Sequence, residues 1–476
     1  MSIIQSMLTK TDSYKVSHYK QFPEKLEYSQ YYITSRGGKF RKMMVAGMVA
    51  LARLLNERVT VAEVEQAQRL YKRHFGQDLF NYDGWMTIAT ELEGKLPLSF
   101  RALPEGSIVD VKTPIAVIEN TDPRFGWLPG WVETVALRSA WYASTVATTS
   151  AHAKAVMMQY YLNTGSDMNA LPFALHDFGA RGATSSEAAQ IGGAAHLYNF
   201  LGTDTVESLL YLETLYPELA DADQAAGVSI PAREHSTTTI YGEAGEDQAF
   251  QNSIDNWGSG VYACVMDSYD YVSAVHRATS GSMKQSVLDA GGRFVIRPDS
   301  GNPVDVVMQA LNIAGSNVGT SATELGYKVL HPSYRVIQGD GVDLAEIRRI
   351  LSWMESKGWA AENVNFGMGG GLLQKCDRDT LKFAMKMCCA VVDGESRKVF
   401  KNPKTDPGKA SLGGYIDVAR GAVITGDAFG ERGADSDLKQ YYIDGEMPYR
   451  PTLDEVRKRA SQDVFRYKVA MVSNIG

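Results

Sequence analysis

Hydrophobic and polar residues follow different periods along this chain, and the change between them divides it near residue 165. Residues 41–76 carry apolar side chains at helical spacing, whereas residues 97–119 alternate in short apolar runs broken by Pro-Glu-Gly and Lys-Thr-Pro. These patterns predict helices followed by a small antiparallel β-layer. Residues 131–163 contain no glycine or proline, and their amphipathic pattern predicts one or two long helices.

Beyond residue 170, short apolar runs alternate with helical stretches, which predicts a mostly parallel sheet, either open or closed into a barrel. Ser185 or Ser186 is expected to cap one of the helices. Asn302 is a plausible cap for another, with Pro303 at its first helical position. The apolar runs are PFALHDFG, VSIPAREHS, VYACVMDSYD, GGRFVIRPDSG, SYRVIQGDG, NVNFGMGGG and CCAVVDG.

These elements predict an α/β protein in three parts. Residues 1–165 form a helical and small antiparallel β part. Residues 166–420 form the barrel-like α/β catalytic part, and residues 421–476 form a C-terminal segment that packs on the N-terminal part.

Composition and charge restrict the class of protein. The 476 residues are 44% hydrophobic and 22% charged, which is typical of a globular protein, and the net charge of −7 argues against nucleic-acid or anionic-membrane partners. The four cysteines lack CxxC spacing, which suits a reducing compartment. The first residues lack the apolar core of a signal peptide, and the run MMVAGMVALA is too short to span a bilayer. We therefore expect a soluble cytoplasmic protein.

Polar groups follow most of the predicted strands, as HD, REHS, DSYD, RPDSG, GDG and GMGGG. The carboxyl ends of parallel strands meet on one face, where active sites of such folds are built. The turn HDFGARG needs only its glycines to form, so His176, Asp177, Phe178 and Arg181 are expected to line a shared site.

Each motif also has a simpler interpretation. GMGGG could be a flexible loop, but its position before LLQKCDRDTLKFAMK predicts amides at a helix N-terminus that hold phosphate, with Arg378 and Lys386 on the same helix. QGDG could be a plain turn. His235 could be a capping or core histidine, or else a nucleophile or proton carrier. Asp270 and Asp299 could bind Mg²⁺ or could cap helices.

Several blocks, in order from about residue 10 to 415, resemble the nicotinamide phosphoribosyltransferases, which are type II phosphoribosyltransferases. The matching blocks are TDSYKVSHYKQFP, HDFGARG, GTDTV, SIPAREHST, MDSYD, RPDSGNP, VIQGDGV and FGMGGGLLQK. The resemblance implies the irregular barrel-like fold of that family and transfer of phosphoribose from PRPP to nicotinamide in NAD salvage. It also implies Mg²⁺, ATP as a co-substrate and a homodimer with shared active sites, and residues 1–165 would contribute to the dimer and to the site.

The resemblance assigns the nicotinamide site residue by residue. Phe178 would stack on one face of the pyridine ring, and Tyr14 from the partner subunit would cover the other. Asp204 would accept a hydrogen bond from the amide, with Arg297 near its carbonyl and Arg181 in the same tunnel. A carboxylate at Asp204 would repel nicotinic acid, so the amide is favoured.

The resemblance also assigns the remaining site residues. His235 would be phosphorylated by ATP and Glu234 would orient or polarise it, while Asp270 and Asp299 would form the ribose and Mg²⁺ side. Met266 and Met368 depart from the family pattern, because animal members carry serines there. The phosphoribosyl and phosphate groups would contact Gly339, Asp340, Gly369, Gly370, Arg36, Lys401 and Lys409, with Arg378 and Lys386 from the other chain.

Three other functions remain open at this point. Nicotinate phosphoribosyltransferase has the same fold and also uses Mg²⁺. Activity on nicotinate but not on nicotinamide would identify this function. A dimeric protein that acts mainly by binding partners would not require His235, Arg297, Asp299 and the glycine loop together. An unrelated barrel lyase would explain GMGGG but would leave GTDTV and REHS unexplained.

Overall fold

The computed structural model describes residues 6–405, 410–432 and 435–473. Their internal contacts define two compact units. The antiparallel unit comprises residues 1–145 and 376–459, and the parallel unit comprises residues 146–375 and 460–476. This division differs from the predicted boundaries at residues 165 and 420. The reason is that the chain after Cys376 pairs with N-terminal strands instead of extending the parallel sheet.

The described helices and strands have the following bounds. The strands are β1 (Leu26–Ser35), β2 (Lys42–Met44), β3 (Leu98–Ala102), β4 (Ile108–Asp110), β5 (Pro114–Asn120), β6 (Leu175–Asp177), β7 (Gly202–Thr203), β8 (Val261–Val265), β9 (Arg293–Arg297), β10 (Thr320–Ala322), β11 (Lys328–Leu330), β12 (Tyr334–Gln338), β13 (Val364–Met368), β14 (Phe383–Val392), β15 (Glu395–Lys398), β16 (Tyr415–Ala419), β17 (Ala422–Gly426) and β18 (Lys439–Ile443). The α-helices are α1 (Met48–Leu55), α2 (Val61–Phe75), α3 (Tyr82–Thr90), α4 (Leu128–Trp131), α5 (Glu133–Thr164), α6 (Ser186–His196), α7 (Val206–Leu215), α8 (His235–Thr239), α9 (Glu246–Trp257), α10 (Tyr271–Ala278), α11 (Gly281–Ala290), α12 (Pro303–Val318), α13 (Leu344–Ser356), α14 (Gly370–Leu373) and α15 (Leu453–Val472).

The antiparallel unit is built on a six-stranded sheet in the order β15-β14-β1-β5-β3-β18, and every adjacent pair is antiparallel. The helices predicted within residues 41–76 are confirmed as α1 and α2, but Lys42–Met44 at the start of this range form strand β2 instead. The predicted β-layer of residues 97–119 is confirmed as β3, β4 and β5. The prediction for CCAVVDG is wrong, because this run lies at the end of β14 and pairs with β1 rather than joining a parallel sheet.

The parallel unit contains the sheet that carries most of the predicted motifs. Its six strands run in the order β7-β6-β13-β12-β9-β8, and all five pairings are parallel. Strand β12 is buried along its whole length, as expected for a strand covered on both faces. The run VSIPAREHS forms only single bridges, from Val228 to Gly202 and from Ala232 to Ala263. Its Pro231 lacks the N–H that a continuous ladder requires.

Two predicted helix caps and the predicted long helix are present in the structure. Ser185 caps α6 by accepting the N–H of Ala188, and Asn302 caps α12 ahead of Pro303. The long helix predicted over residues 131–163 is confirmed as α5, which spans 32 residues after the short α4. Across the three described ranges, no helix is both long and apolar enough to cross a bilayer.

Candidate active site

Phe178 forms the floor of the candidate site at the carboxyl ends of the parallel strands. It directly follows β6, and its N–H donates to the carbonyl of Met368, the last residue of β13, at 3.0 Å. The ring packs on Ala263, Val295 and Ile337, which belong to three neighbouring strands. Phe178 therefore covers the top of the hydrophobic core.

Two glycines leave room for the Phe178 ring. A Cβ added at Gly367 would lie 2.1 Å from the ring, and one added at Gly339 would lie 3.0 Å from it. Real Cβ atoms essentially never approach a neighbour as closely as the first of these distances. Gly367 and Gly339 thus set the height and direction of a flat aromatic surface.

Asp177 fixes the turn that directs this ring. Its Oδ1 accepts the N–H of Gly179 at 2.7 Å, and the carboxyl group is buried. Burial raises the pKa of Asp177 to about 6. Sequence reasoning placed Asp177 in the site wall but gave it no individual role, whereas the structure shows it bracing the backbone on both sides of Phe178.

Asp204 lies next to this turn on the neighbouring strand end. Its N–H donates to the carbonyl of Asp177 at 2.9 Å, and its Oδ1 accepts the hydroxyl of Ser229 at 2.5 Å. Asp204 as a whole is exposed, so a ligand can reach this residue. Arg181 is also exposed, in the 3-10 turn Ala180–Gly182 that follows Phe178.

His235 lies between two carboxylates at the strand ends of β8 and β9. Its Nε2 is 3.0 Å from Asp267 Oδ1, and its Nδ1 is 3.8 Å from Asp299 Oδ2. Asp267 also accepts the hydroxyl of Ser300, and Asp299 accepts Nη2 of Arg297 at 2.6 Å. The structure therefore joins His235, Arg297 and Asp299 into one charged cluster.

The carboxylate that orients His235 differs from the one named in the sequence analysis. Glu234 accepts a hydrogen bond from the hydroxyl of Ser236, while Asp267 contacts the imidazole. Asp270 caps α10, where it accepts the N–H of Ser273 at 3.0 Å and its hydroxyl at 2.8 Å. These bonds, the backbone one first, lower the pKa of Asp270. Asp267 is thus the site residue that the sequence analysis missed.

The two roles considered for Asp270, helix cap and Mg²⁺ ligand, predict different behaviour of the Asp270→Ala and Asp270→Asn variants. If the carboxylate only caps α10, Asp270→Ala lowers the urea midpoint of unfolding, whereas Asp270→Asn, which keeps a capping side chain, stays near the wild type. Both midpoints are measured by circular dichroism, and the Mg²⁺ dependence of turnover is measured beside them. A raised Mg²⁺ requirement in Asp270→Asn would instead support the predicted metal role.

The glycine loop leads into a much shorter helix than the sequence suggested. Gly369 precedes α14, which has only four residues and ends at Leu373. A Cβ added at Gly370 would meet nothing within 4 Å, so this position is open to a ligand. The neighbouring loop is braced by Gln338, whose Nε2 donates to the carbonyl of Asp340 at 2.9 Å.

The prediction that Arg378 and Lys386 follow on the same helix is wrong. Arg378 begins the 3-10 helix Arg378–Thr380, which Asp377 caps through reciprocal hydrogen bonds with Thr380. Lys386 lies on β14, opposite Tyr32 of β1. The local cap and the long strand pairing therefore override the apparent helical pattern, and both cations belong to the antiparallel unit.

A second cluster of predicted residues forms a pocket within the antiparallel unit, here called the basic pocket. It brings together Arg36, Lys386 and Lys401, and it adds Lys112, which the sequence analysis did not select. Burial is the main reason that the pKa of Lys386 is lowered, and Arg36 and Lys401 add to the effect. The other lining residues are Tyr32, Thr34, Ser35, Ala384, Ala410, Ser411 and Leu412.

Two further predicted residues, Arg378 and Tyr14, are not among the described residues that line the basic pocket. Arg378 is exposed, with Nη2 3.5 Å from Asp379, and it is not among the pocket-lining residues. Tyr14 is 60% exposed on the 3-10 helix Ser13–Lys20, which a part-buried 2.6 Å ion pair between Lys15 and Glu133 anchors. Lys409 lies outside the described residues.

The described ranges contain no group of three or more His, Cys, Asp or Glu side chains arranged to hold a metal ion. Mg²⁺, however, usually takes one or two protein carboxylates together with substrate phosphates and water. Asp267 and Asp299, which flank His235, provide such oxygens. The residues therefore fit a Mg²⁺ ion that arrives with a phosphorylated substrate.

Comparison with known proteins agrees with the geometry. The model of the nicotinate phosphoribosyltransferase (NAPRTase) family matches residues 173–466. A nicotinamide phosphoribosyltransferase of Xanthomonas campestris pv. campestris is 40% identical over 473 residues, which cover 97% of this chain and 99% of that protein. This chain belongs to the nicotinate phosphoribosyltransferase family. The resemblance noted in the sequence is thereby confirmed.

Further members and structures extend the comparison to the N-terminal region and the fold. Residues 6–100 match the N-terminal domain of nicotinamide phosphoribosyltransferase, and a nicotinamide phosphoribosyltransferase of Acinetobacter baylyi is 30% identical, covering 98% of this chain and 99% of its own. The structure of nicotinate-nucleotide pyrophosphorylase from Pyrococcus furiosus superposes with a TM-score of 0.61 at 16% identity, with 98% of each chain covered. Human nicotinic acid phosphoribosyltransferase gives 0.56 at 16% identity, covering 96% of this chain and 94% of its own. The predicted type II phosphoribosyltransferase fold is confirmed.

Proposed function

We propose that this protein is a nicotinamide phosphoribosyltransferase that converts PRPP and nicotinamide to nicotinamide mononucleotide and pyrophosphate. The observation that carries the proposal is the pairing of a flat aromatic surface, Phe178, with the Asp204 carboxylate on adjoining strand ends. Stacking on Phe178 suits a pyridine ring and contributes on the order of 1 kcal/mol beyond burial of its area. Relatives named for this activity over nearly the full chain support it.

Asp204 is the proposed determinant of the amide. Ser229 already donates to Oδ1, so Asp204 is held as an acceptor toward the ligand. The NH₂ group of nicotinamide can donate to this carboxylate, whereas the carboxylate of nicotinate can only repel it. Arg297, at the end of β9, is proposed to contact the carbonyl side of the ligand.

The proposed transfer needs no covalent nucleophile on the protein. The pyridine nitrogen forms the bond to the anomeric carbon, and the bond from that carbon to pyrophosphate breaks with its electron pair on the leaving oxygen. Positive charge develops on the ribose, which Asp299 is placed to stabilise. Negative charge accumulates on the leaving pyrophosphate, and cationic side chains such as Arg36 and Lys401 would neutralise this charge. Bound Mg²⁺ would supply further neutralisation of that charge.

His235 has the geometry of a phosphate acceptor from ATP. With its Nε2–H donated to Asp267, the lone pair lies on Nδ1. Transfer of the γ-phosphoryl group would form the Nδ1–P bond and break the bond to ADP, and Asp267 would stabilise the resulting imidazolium charge. The phosphorylated ring would then couple ATP hydrolysis to product formation. The role of orienting residue thus passes from Glu234 to Asp267.

The assembly is proposed to be a homodimer with shared active sites. Tyr14 supports this proposal, because an aromatic ring that is 60% exposed on an anchored helix is available to a second chain. Arg378 and Lys386 are proposed to contact the substrate phosphate that is bound in the active site of the partner subunit. All four cysteines are free, which favours a cytoplasmic location.

Product formation tests the proposal directly. PRPP and Mg²⁺ are supplied with either nicotinamide or nicotinate, with and without ATP, and the mononucleotide is identified by mass. Nicotinamide mononucleotide as the preferred product, increased by ATP, is expected. Nicotinate mononucleotide as the main product would keep the fold and overturn the substrate. No product from either base would favour a protein that acts by binding partners.

Asp204→Asn is expected to reduce the preference for nicotinamide. The amide side chain no longer repels a carboxylate and can donate to it, so the ratio of kcat/KM for nicotinamide to that for nicotinate should fall about tenfold or more. Glu207→Gln is the matched control, because it removes a carboxylate that bonds the hydroxyl of Ser186 nearby. A ratio that stays unchanged in Asp204→Asn would exclude Asp204 as the determinant.

A further inference from the structure

We propose that Lys112 is an additional anion-binding residue of the basic pocket, where it contacts a phosphate or pyrophosphate group. The inference rests on the proposed function for the identity of the anion. It concerns a residue that neither the motifs nor the resemblance selected. Lys112 lies in the turn between β4 and β5 and lines the pocket with Arg36, Lys386 and Lys401.

The backbone holds Lys112 in an unusual conformation. Its φ is 76°, in the left-handed region that glycine adopts more easily than a residue with a side chain. Its N–H donates to the carbonyl of Ser35 at 2.7 Å, and Ser35 is the last residue of β1, directly before Arg36. The turn therefore fixes Lys112 against the segment that positions another cation of the pocket.

The charges of the pocket are unbalanced without an anion. Among the described lining residues, four are cationic, none is acidic, and four others, Tyr32, Thr34, Ser35 and Ser411, carry hydroxyl groups. Within the described parts of the chain, Lys112 has no carboxylate at salt-bridge distance, and Nζ of Lys386 donates to the carbonyl of Met385 at 2.7 Å. Burial lowers the pKa of Lys386, and Arg36 and Lys401 lower it further, whereas Glu133, which is ion-paired with Lys15 and is not a lining residue, raises it.

Pyrophosphate suits this arrangement better than a single phosphate group. Its two phosphoryl groups carry more negative charge, and they offer enough oxygens for several ammonium and guanidinium donors at once. Lys112 is exposed, so its contribution is that of a solvent-screened ion pair rather than of a buried one. A several-fold effect on affinity, sensitive to salt, is therefore expected rather than a complete loss.

The test is calorimetric titration of the full chain with pyrophosphate, and in parallel with inorganic phosphate. Lys112→Gly removes the ammonium group and fits the left-handed backbone, so it should fold at least as stably as the wild type. Its Kd for pyrophosphate is expected to rise about fivefold at low salt, with a smaller rise for inorganic phosphate. Lys112→Arg keeps the charge and should retain the affinity.

Arg420→Gly is the matched control, because Arg420 is also an exposed cation, has a φ of 50° and lies in the same unit outside the pocket lining. Its Kd should not change. An unchanged Kd in Lys112→Gly, or an equal rise in both glycine variants, would overturn the proposal, as would a wild type that binds neither anion. The mononucleotide assay separates the two levels. If the wild type forms product and Lys112→Gly has an unchanged Kd, only the proposed role of Lys112 is rejected. If Lys112→Gly binds the anion more weakly but the wild type forms no product, only the proposed function is rejected.

Discussion

Replacing Gly367 by alanine is expected to lower kcat/KM for nicotinamide about 100-fold, because a displacement near 1 Å in a reacting group can cost that much. The new Cβ would lie 2.1 Å from the Phe178 ring, so the ring must move away from its place over the core. Gly367 has an ordinary φ, which means that alanine adds no backbone strain of the left-handed kind. Steady-state kinetics with varied nicotinamide at saturating PRPP measure the effect.

Gly260→Ala is the control for this prediction. Its added Cβ would meet only the carbonyl of Trp257 at 3.6 Å, an ordinary contact, so kinetics should resemble the wild type. Titration of Gly367→Ala with pyrophosphate should also give an unchanged Kd, since the basic pocket belongs to the antiparallel unit. A wild-type value of kcat/KM in a folded Gly367→Ala protein would show that nicotinamide does not stack on Phe178.

His235→Ala is expected to retain basal transfer and to lose all stimulation by ATP. The imidazole is the proposed phosphate acceptor, but the bond from the pyridine nitrogen to ribose forms without it. Mononucleotide formation with and without ATP gives the first readout, and acid-labile labelling of the protein from γ-labelled ATP gives the second. Both the stimulation and the label should disappear.

His276→Ala provides the matched histidine control. His276 is exposed on α10, where its carbonyl accepts the hydroxyl of Ser280, and it lies outside the proposed site. This variant should keep both the ATP response and the label. Full ATP response in His235→Ala would contradict the phosphohistidine proposal, and loss of basal transfer as well would assign His235 a direct part in the transfer step.

The parallel sheet and most strand-end motifs were predictable, but assigning individual carboxylates was harder. MDSYD offers two of them, Asp267 and Asp270, and the sequence analysis selected the second. The structure puts Asp267 beside His235 and uses Asp270 as a helix cap. One signal was present, because Asp270 precedes the amphipathic helix α10 with Ser273 three residues on, an arrangement typical of an N-cap.

The surroundings of Lys386 could not be predicted in the same way. The run FAMKMCCAVV has no strict alternation, and its partner β1 lies far away in the sequence. Strand pairing between distant segments depends on tertiary packing that no local pattern encodes. The same limit concealed Lys112, whose turn becomes informative only when its contact with Ser35 and its left-handed φ are known.

The pairing of β1 with β14 also determines how late in synthesis the antiparallel sheet can be completed. These adjoining strands of the antiparallel sheet are separated by roughly 350 residues, which a ribosome adds in roughly 20–70 s at typical elongation rates. Throughout that interval the nascent chain holds β1 without its β14 neighbour, and an unpaired strand edge is prone to join other chains. We therefore expect the yield in a cell to rise when chaperones cover the edge of β1 until the last fifth of the chain emerges.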